Sequence, residues 1–325
     1  MISIKSYSPE YFDIWNSFVE TSANGSLFDR LDFLAYHQGR FQANEHHLLW
    51  LKGDAVFAVM PLAIFEEDGR KVGKSPYGGS FGGVIYRTID AGYADLLIKT
   101  LLEYGRQLGL ARLHITLSPL NYSRVQAQYL QFFLLSNGFV YRQSDLFSVV
   151  PLAADYPAAW NGYQGRTRTS IRRAVDQFDI DEDVSPADFY PILLEDKRRH
   201  DNAPVTHSLD DLAYLKTAFP GLVRFDIATH RKSGGKAGIC YFQPSPTTIL
   251  TFYISQETSI LKENGPSVLI DRGIKRAIEK GLRYFDFGAS SIGYHIQNPG
   301  VAKFKEGFGA VGLTRESFAF EFANH

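Results

Sequence analysis

Four arginines, Arg166, Arg168, Arg172 and Arg173, fall within eight residues, and no acidic residue appears before Asp176. A guanidinium fork pairs bidentately with phosphate, so this spacing describes a patch for a diphosphate or a tRNA backbone. Ile171, Ala174, Val175 and Phe178 lie at i, i+3, i+4 and i+7, one apolar stripe that turns Arg166, Arg172 and Arg173 to the opposite side of a helix. A solvated helix face is the competing reading. A second anion-binding pattern is Gly265-Pro266-Ser267, between a strand-like run and an amphipathic stripe of Ile270, Ile274, Ala277 and Ile278. Strand, glycine loop and helix start together hold an anion with backbone N–H groups, although an ordinary connection with a first-turn proline reads the same way. Asp286 lies between Phe285 and Phe287 and points away from the face those rings share. It stands at the C-terminal end of a strand, where ligands of open α/β sheets gather.

Other patterns lead elsewhere. Gly78-Gly79-Ser80-Phe81-Gly82 fits the Gly-x-Ser-x-Gly nucleophile pattern, but Val84-Ile85-Tyr86 continues as strand where that elbow needs a helix. His46 and His47 point oppositely in a strand, and Asp196 with His200 is a single helical pair without a third partner, so no metal site is expected. Neither a Walker loop nor a dinucleotide fingerprint is present.

The elements that must position these groups follow a repeated grammar. The first half reads as a strand from Ile2, a helical stretch from Pro9 to about Tyr36, and strands at His47–Leu51 and Ala55–Phe65. Helices follow at Ala94–Leu108 and Ser123–Leu135, with strands at Arg112–Leu117 and Phe139–Val150. In the second half helices are expected at Thr169–Phe178, Pro186–Arg199, Leu209–Thr217 and Ser267–Lys280. Its strands are Val223–His230, Lys236–Phe242, Thr248–Ser255, Tyr284–Phe287 and Leu313–Phe322. Gly109-Leu110 and Gly281-Leu282 each end a helix and open a strand. Gly138-Phe139 and Gly307-Phe308 follow 29 and 26 residues later, which points to an internal duplication and to domains 1–150 and 151–325.

Composition narrows the class. Over 325 residues, 45% hydrophobic and 21% charged content excludes a largely disordered chain. A net charge of −1 leaves no global field for nucleic acid or membrane, only the local arginine patch. One cysteine, Cys240, excludes an internal disulfide and thiolate-rich metal centres. The longest apolar run, Ala55–Phe65, is interrupted by Pro61 and too short to span a bilayer, so a cytoplasmic protein is expected.

The order of three strands, the loop Lys262-Glu263-Asn264-Gly265-Pro266-Ser267, a helix and a further strand resembles the GNAT acyltransferase superfamily, whose loop binds acyl-coenzyme A. Here Lys, Pro and Ser depart from the usual loop residues, and Pro266 removes one donor N–H. With the duplicated halves, the chain looks more like the Fem-type aminoacyltransferases, which move an aminoacyl group from charged tRNA to a peptidoglycan-precursor amine. Three stretches carry the likeness: Arg166–Phe178, Tyr284–Ser290 and the Phe304-Lys305-Glu306-Gly307-Phe308-Gly309 signature. The resemblance implies an α/β fold of tandem GNAT-like domains, each a mixed, mostly antiparallel sheet flanked by helices. It implies Asp286 and Lys305 at the chemistry, since a carboxylate and an ammonium suit amine deprotonation and oxyanion stabilisation. It places Arg166, Arg168, Arg172, Arg173, Gly265, Ser267 and Phe304 on substrate, with Tyr253 and Tyr294 lining the cleft unless they are structural. No tightly bound cofactor is expected; the donor is aminoacyl-tRNA or acyl-coenzyme A, and the acceptor an amine-bearing small molecule or cell-wall precursor. A coenzyme A-dependent N-acyltransferase and a non-catalytic binding protein that kept the fold are the alternatives.

Overall fold

The computed structural model describes residues 2–199, 204–293 and 295–323. The chain divides into two compact units, one of residues 1–145 with 314–325, the other of residues 146–313. The first contains β1 (Ile2–Ser6), α1 (Phe12–Thr21), α2 (Leu31–Leu34), β2 (Leu48–Lys52), β3 (Ala55–Met60), β4 (Ala63–Glu67), β5 (Arg70–Ser75), β6 (Ile85–Tyr86), α3 (Ala91–Gln107), β7 (Arg112–Thr116) and α4 (Tyr129–Ser136). After β8 (Val140–Pro151) come α5 (Tyr156–Gly162), α6 (Gly165–Ala174), β9 (Phe178–Asp181), α7 (Pro186–Arg199), α8 (Leu209–Ala218), β10 (Val223–His230), β11 (Lys236–Ser245), β12 (Thr248–Gln256), α9 (Gly265–Glu279), β13 (Tyr284–Ala289), β14 (Ser291–Gly293), β15 (Ile296–Gln297) and α10 (Pro299–Glu306). The last strand is β16 (Val311–Glu321). No described helix is long and apolar enough to cross a membrane.

In the first unit β1-β2-β3-β6 form one sheet and β4-β5-β7-β16 run side by side in another. The single strand expected over Ala55–Phe65 is two, β3 and β4, divided at Pro61, which cannot donate to a ladder. The helical stretch expected from Pro9 to Tyr36 is likewise broken. Ser22 Oγ donates back to the Val19 carbonyl, and Ser26 with Asp29 forms a capping box that starts a new turn. The helix expected from Ser123 begins at Tyr129 instead, because the Arg124 N–H is drawn out to the Ala23 carbonyl. Although it ends the sequence, β16 pairs with β7, and its Phe318, with Phe322 just beyond it, packs among Trp50, Leu97, Leu101 and Leu113. That burial is why residues 314–325 belong to the first unit rather than the second.

In the second unit the strands run β8-β13-β12-β11-β10-β9, antiparallel except for the neighbours β12 and β13. A parallel pair requires a crossover, and α9 supplies it, packing Ile270, Ile274 and Ala277 against Tyr241, Phe285 and Phe287. The stripe of the arginine helix enters the same core through Ile171, Ala174 and Phe178, whereas Val175, just past the end of α6, is exposed.

The two glycine junctions read from the sequence have the same geometry. Gly109 and Gly281 adopt φ +68° and +70°. In each, the following leucine N–H reaches the carbonyl five residues back (Leu110 to Gly105, Leu282 to Ala277, both 3.0 Å), the signature of a Schellman stop. Gly138 repeats it at φ +90°, but its expected counterpart Gly307 is right-handed, and Gly309, at φ +82°, takes the left-handed place. No atom lies within 4 Å of the Cβ position of Gly109 or Gly281, so replacing either with alanine adds only backbone strain. Gly109→Ala and Gly281→Ala should each cost about 1 kcal/mol in urea unfolding, with asparagine costing less. No measurable loss in either alanine variant would contradict the assigned stops.

Candidate active site

The parallel pair β12 and β13 holds together over only three positions, Thr248 with Tyr284, Ile249 with Phe285 and Leu250 with Asp286. Beyond them β12 stays with β11 as far as Gln256, and β13 stays with β8, meeting Phe147 at Ala289. The two strands therefore part, and the backbone edges of Thr251–Gln256 and Phe287–Ala289 face a wedge. At its apex the Thr251 hydroxyl donates to the Asp286 carbonyl at 3.3 Å. Asp286 sits at this fork. Phe285 and Phe287 fill the core under α9, so Asp286 points to the other face, and it is fully buried.

The Asp286 carboxylate shapes the end of β13. Oδ1 accepts the Gly288 N–H at 2.6 Å, and Gly288 turns through φ +70°, a conformation that favours glycine. This turn interrupts the pairing with β8 between Asp286 and Ala289 and presents two successive carbonyls to Lys305. Lys305 Nζ donates to the Gly288 carbonyl at 3.1 Å and to the Ala289 carbonyl at 2.6 Å, with only 5% of the residue exposed. Burial pushes its ammonium down to about 8, and the Asp286 charge opposes that fall. The fork thus holds a buried lysine that is largely protonated at neutral pH and within reach of deprotonation.

Lys305 is carried by α10, an element that the sequence reading did not anticipate. Its start was legible: Asn298 caps it by accepting the Val301 N–H at 3.2 Å, and Pro299 occupies a first-turn position. Phe304, one residue before Lys305, is 38% exposed and stands edge-on to the buried Phe308 at 5.5 Å. The start of α6 is tied to the same segment, since the Gln164 N–H donates to the Gly307 carbonyl at 2.9 Å. A Cβ on Gly307 would stand 2.5 Å from the Thr167 hydroxyl, so this glycine is required by close packing rather than by backbone conformation.

The arginines divide into two kinds. Arg166 and Arg173 are exposed on α6, as the stripe predicts. Arg172 is also exposed but lies over the Trp160 ring, 5.4 Å from its centre. Arg168 is half-buried and donates to the carbonyls of Asn161 and Tyr163, a local brace at the turn between α5 and α6. Three of the four are therefore presented to solvent.

At the start of α9, Gly265 is buried, and a Cβ there would stand 2.9 Å from Ala237 and 3.1 Å from the Phe178 ring. The glycine serves helix-to-sheet packing. Asn264, the helix cap at φ +60°, accepts the N–H groups of Ser267 and Val268, and the Glu263 N–H is bonded to the Ile260 carbonyl. Pro266 has no N–H, so much of the donor set of an anion nest is already committed. Ser267 itself is buried.

Tyr253 pairs with Cys240 across β12 and β11 and so projects to the face of the sheet that Asp286 uses. Its hydroxyl is 2.8 Å from Nδ1 of His207, a buried histidine just before α8 that the sequence reading missed. No spacing signal links residues 46 positions apart. Tyr294 and His200 lie outside the described residues. Ser80 lies in an irregular loop that leads into β6, without the helix a nucleophile elbow requires, and its carbonyl accepts from Arg315 at 2.9 Å.

The Lys305 environment has a measurable consequence. Lysine 13Cε shifts should show one residue titrating near pH 8, and Asp286→Asn, which keeps an acceptor for Gly288 but loses the charge, should lower that midpoint further. Because the unfolded lysine titrates near 10.5, the unfolded chain holds more protons between pH 8 and 10.5. This group's contribution to stability therefore rises with pH across that window, and Lys305→Met should flatten the rise. A titration at the ordinary lysine value would contradict the burial.

No protein-family model matches the chain, and no curated protein matches it either. Solved structures do. FemX aligns with a TM-score of 0.73 at 10% identity, covering 98% of this chain and 97% of that one. L-PGS from Bacillus licheniformis aligns at 0.60 and 12% identity, covering 98% and 94%. A tandem GNAT protein from the clavulanic acid biosynthesis pathway aligns at 0.54 and 12% identity over the full length of both chains. At these identities the likeness is one of fold, shared over nearly the whole chain with FemX and with the tandem GNAT protein.

Proposed function

We propose that the chain is an acyltransferase that moves an aminoacyl group from charged tRNA to an amine acceptor such as a peptidoglycan precursor. The observation that carries this reading is the buried Lys305 ammonium, fixed by two carbonyls beside parted parallel strands. In the reaction the acceptor nitrogen attacks the ester carbonyl, the carbonyl oxygen takes the negative charge, and the ribose hydroxyl leaves with the proton lost by the amine. An ammonium held in a low-dielectric site favours that developing oxyanion over the neutral ester. Asp286 acts one step back: it keeps Lys305 charged and fixes the Gly288 turn on which the ammonium rests. Phe304 stands beside this group as an exposed ring for substrate contact.

The donor assignment rests on two features. The exposed faces of Arg166, Arg172 and Arg173 suit a polyanion, and their grip must weaken as salt rises. The Gly265 loop is short of free first-turn N–H groups, which disfavours the pyrophosphate of acyl-coenzyme A. Neither donor is a resident cofactor in this reading; each is consumed in a turnover.

The test is binding. Wild-type protein should bind charged tRNA with a strong salt dependence and acetyl-coenzyme A with a Kd above roughly 100 μM. Arg172→Glu with Arg173→Glu should abolish tRNA binding while the melting temperature stays within a few degrees, since Ile171 and Ala174 keep the helix packed. Low-micromolar acetyl-coenzyme A binding together with salt-insensitive tRNA binding would promote the coenzyme A-dependent N-acyltransferase instead.

A further inference from the structure

The first unit holds a cavity of about 460 Å³ that the acyl-transfer reading does not use. Its walls include Tyr7, Phe12, Gln42, Glu45, His46 and His47. We infer that this cavity is a binding site for a small organic ammonium ion, with Glu45 taking the charge and the Tyr7 and Phe12 rings taking the apolar body.

The floor is built from two buried groups, His47 and Tyr77, that reach up to the exposed Glu45 in a fixed order. His47, 5% exposed, accepts the Leu62 N–H on Nδ1 at 3.4 Å, which leaves the ring proton on Nε2. Nε2 lies 3.3 Å from the Tyr77 hydroxyl, and that hydroxyl donates to Glu45 Oε1 at 3.1 Å. Every donor in this relay points toward the carboxylate, so Glu45 is held in place without its charge being neutralised. Among the described residues no cation pairs with Glu45. Burial drives His47 down to about 4, so its imidazole is neutral at physiological pH and adds no positive charge to the floor.

The aromatic wall is equally fixed. Tyr7 stands edge-on to Trp15 at 6.0 Å and to His47 at 5.8 Å, and the Trp15 indole is anchored to the Asp29 carbonyl at 2.9 Å. The Tyr7 hydroxyl is raised by burial and then by Glu10, Asp13 and Glu45, of which Glu45 lines the cavity. The nearby cation, Lys5, is turned to Tyr11, bonding its hydroxyl at 3.0 Å and lying over its ring at 4.2 Å. A carboxylate beside aromatic faces binds an ammonium through charge and through the ring quadrupole, and it repels an anion of the same shape. The site lies within the first unit and does not rest on the acyl-transfer reading.

Three probes of one shape separate the possibilities: benzylammonium, benzyl alcohol and benzoate, titrated into uniformly 15N-labelled full-length protein. Benzylammonium should give saturable amide shifts at Ser6, Tyr7, Glu45 and His47, and benzoate none. Glu45→Gln should weaken the benzylammonium affinity by about tenfold, the scale of a lost charged hydrogen bond, while the remaining spectrum stays unchanged. Phe12→Ala, a change at a partly exposed ring, should weaken benzylammonium and benzyl alcohol alike, and it serves as the folded control if the glutamine variant misfolds. Equal shifts from all three probes, no saturable shift from benzylammonium, or affinity untouched by both substitutions would overturn the inference.

Discussion

A buried ammonium held by two backbone carbonyls is the constraint on which the second unit is organised. Lys305 can remain charged at 5% exposure because the Gly288 and Ala289 carbonyls accept its hydrogen bonds and the Asp286 charge opposes the effect of burial. Those carbonyls face it because Gly288 turns at φ +70° and breaks the pairing of β13 with β8. The turn in turn depends on Asp286, whose carboxylate holds the Gly288 N–H. Asp286 can occupy that place because β12 leaves β13 after Leu250.

The surrounding packing fixes this fork from one face. Ile270, Ile274 and Ala277 of α9 press on Phe285 and Phe287, which sets the alternation of β13 and leaves Asp286 no other direction. Gly273 is the close-approach point of that packing, since a Cβ there would stand 2.7 Å from the Tyr241 hydroxyl. That hydroxyl donates to the Leu269 carbonyl at 2.8 Å and locks the helix to β11. A second network, Asp226 with Arg224 and Arg276, ties β10 to α9 by ion pairs at 2.9 and 2.7 Å, with Asp226 nearly fully buried. Loss of one partner there would strand a buried charge, so its role is to hold the crossover in place.

Local chemistry made much of this legible in the sequence. The glycine stops at Gly109 and Gly281 could be read because a Schellman turn needs a residue at positive φ. The α9 stripe and the outward aspartate of Phe285-Asp286-Phe287 could be read because helix and strand periods are fixed. What depended on distant partners was hidden. Nothing local tells that β16 returns to β7, that His207 meets Tyr253, or that Asn264 takes up the first-turn N–H groups beside Gly265. Ala55–Phe65 looked continuous because apolar character outweighed Pro61, although the proline sets the break. The Tyr7, Glu45 and His47 cavity was invisible for the same reason: His46 and His47 were seen only as alternating strand residues, with Tyr77 thirty positions away.

The most direct measurement is single-turnover aminoacyl transfer from charged tRNA by Lys305→Met, with the amine acceptor varied and unfolding followed in parallel. The variant keeps the aliphatic stem but leaves the Gly288 and Ala289 carbonyls without their donor, at a stability cost of about 1–3 kcal/mol. If the buried ammonium stabilises the oxyanion, kcat should fall by about 100-fold or more in protein that is still folded, and no acceptor concentration should restore it. Wild-type kcat, with or without a raised KM, would contradict the account and leave Lys305 as a structural clasp on the β13 turn.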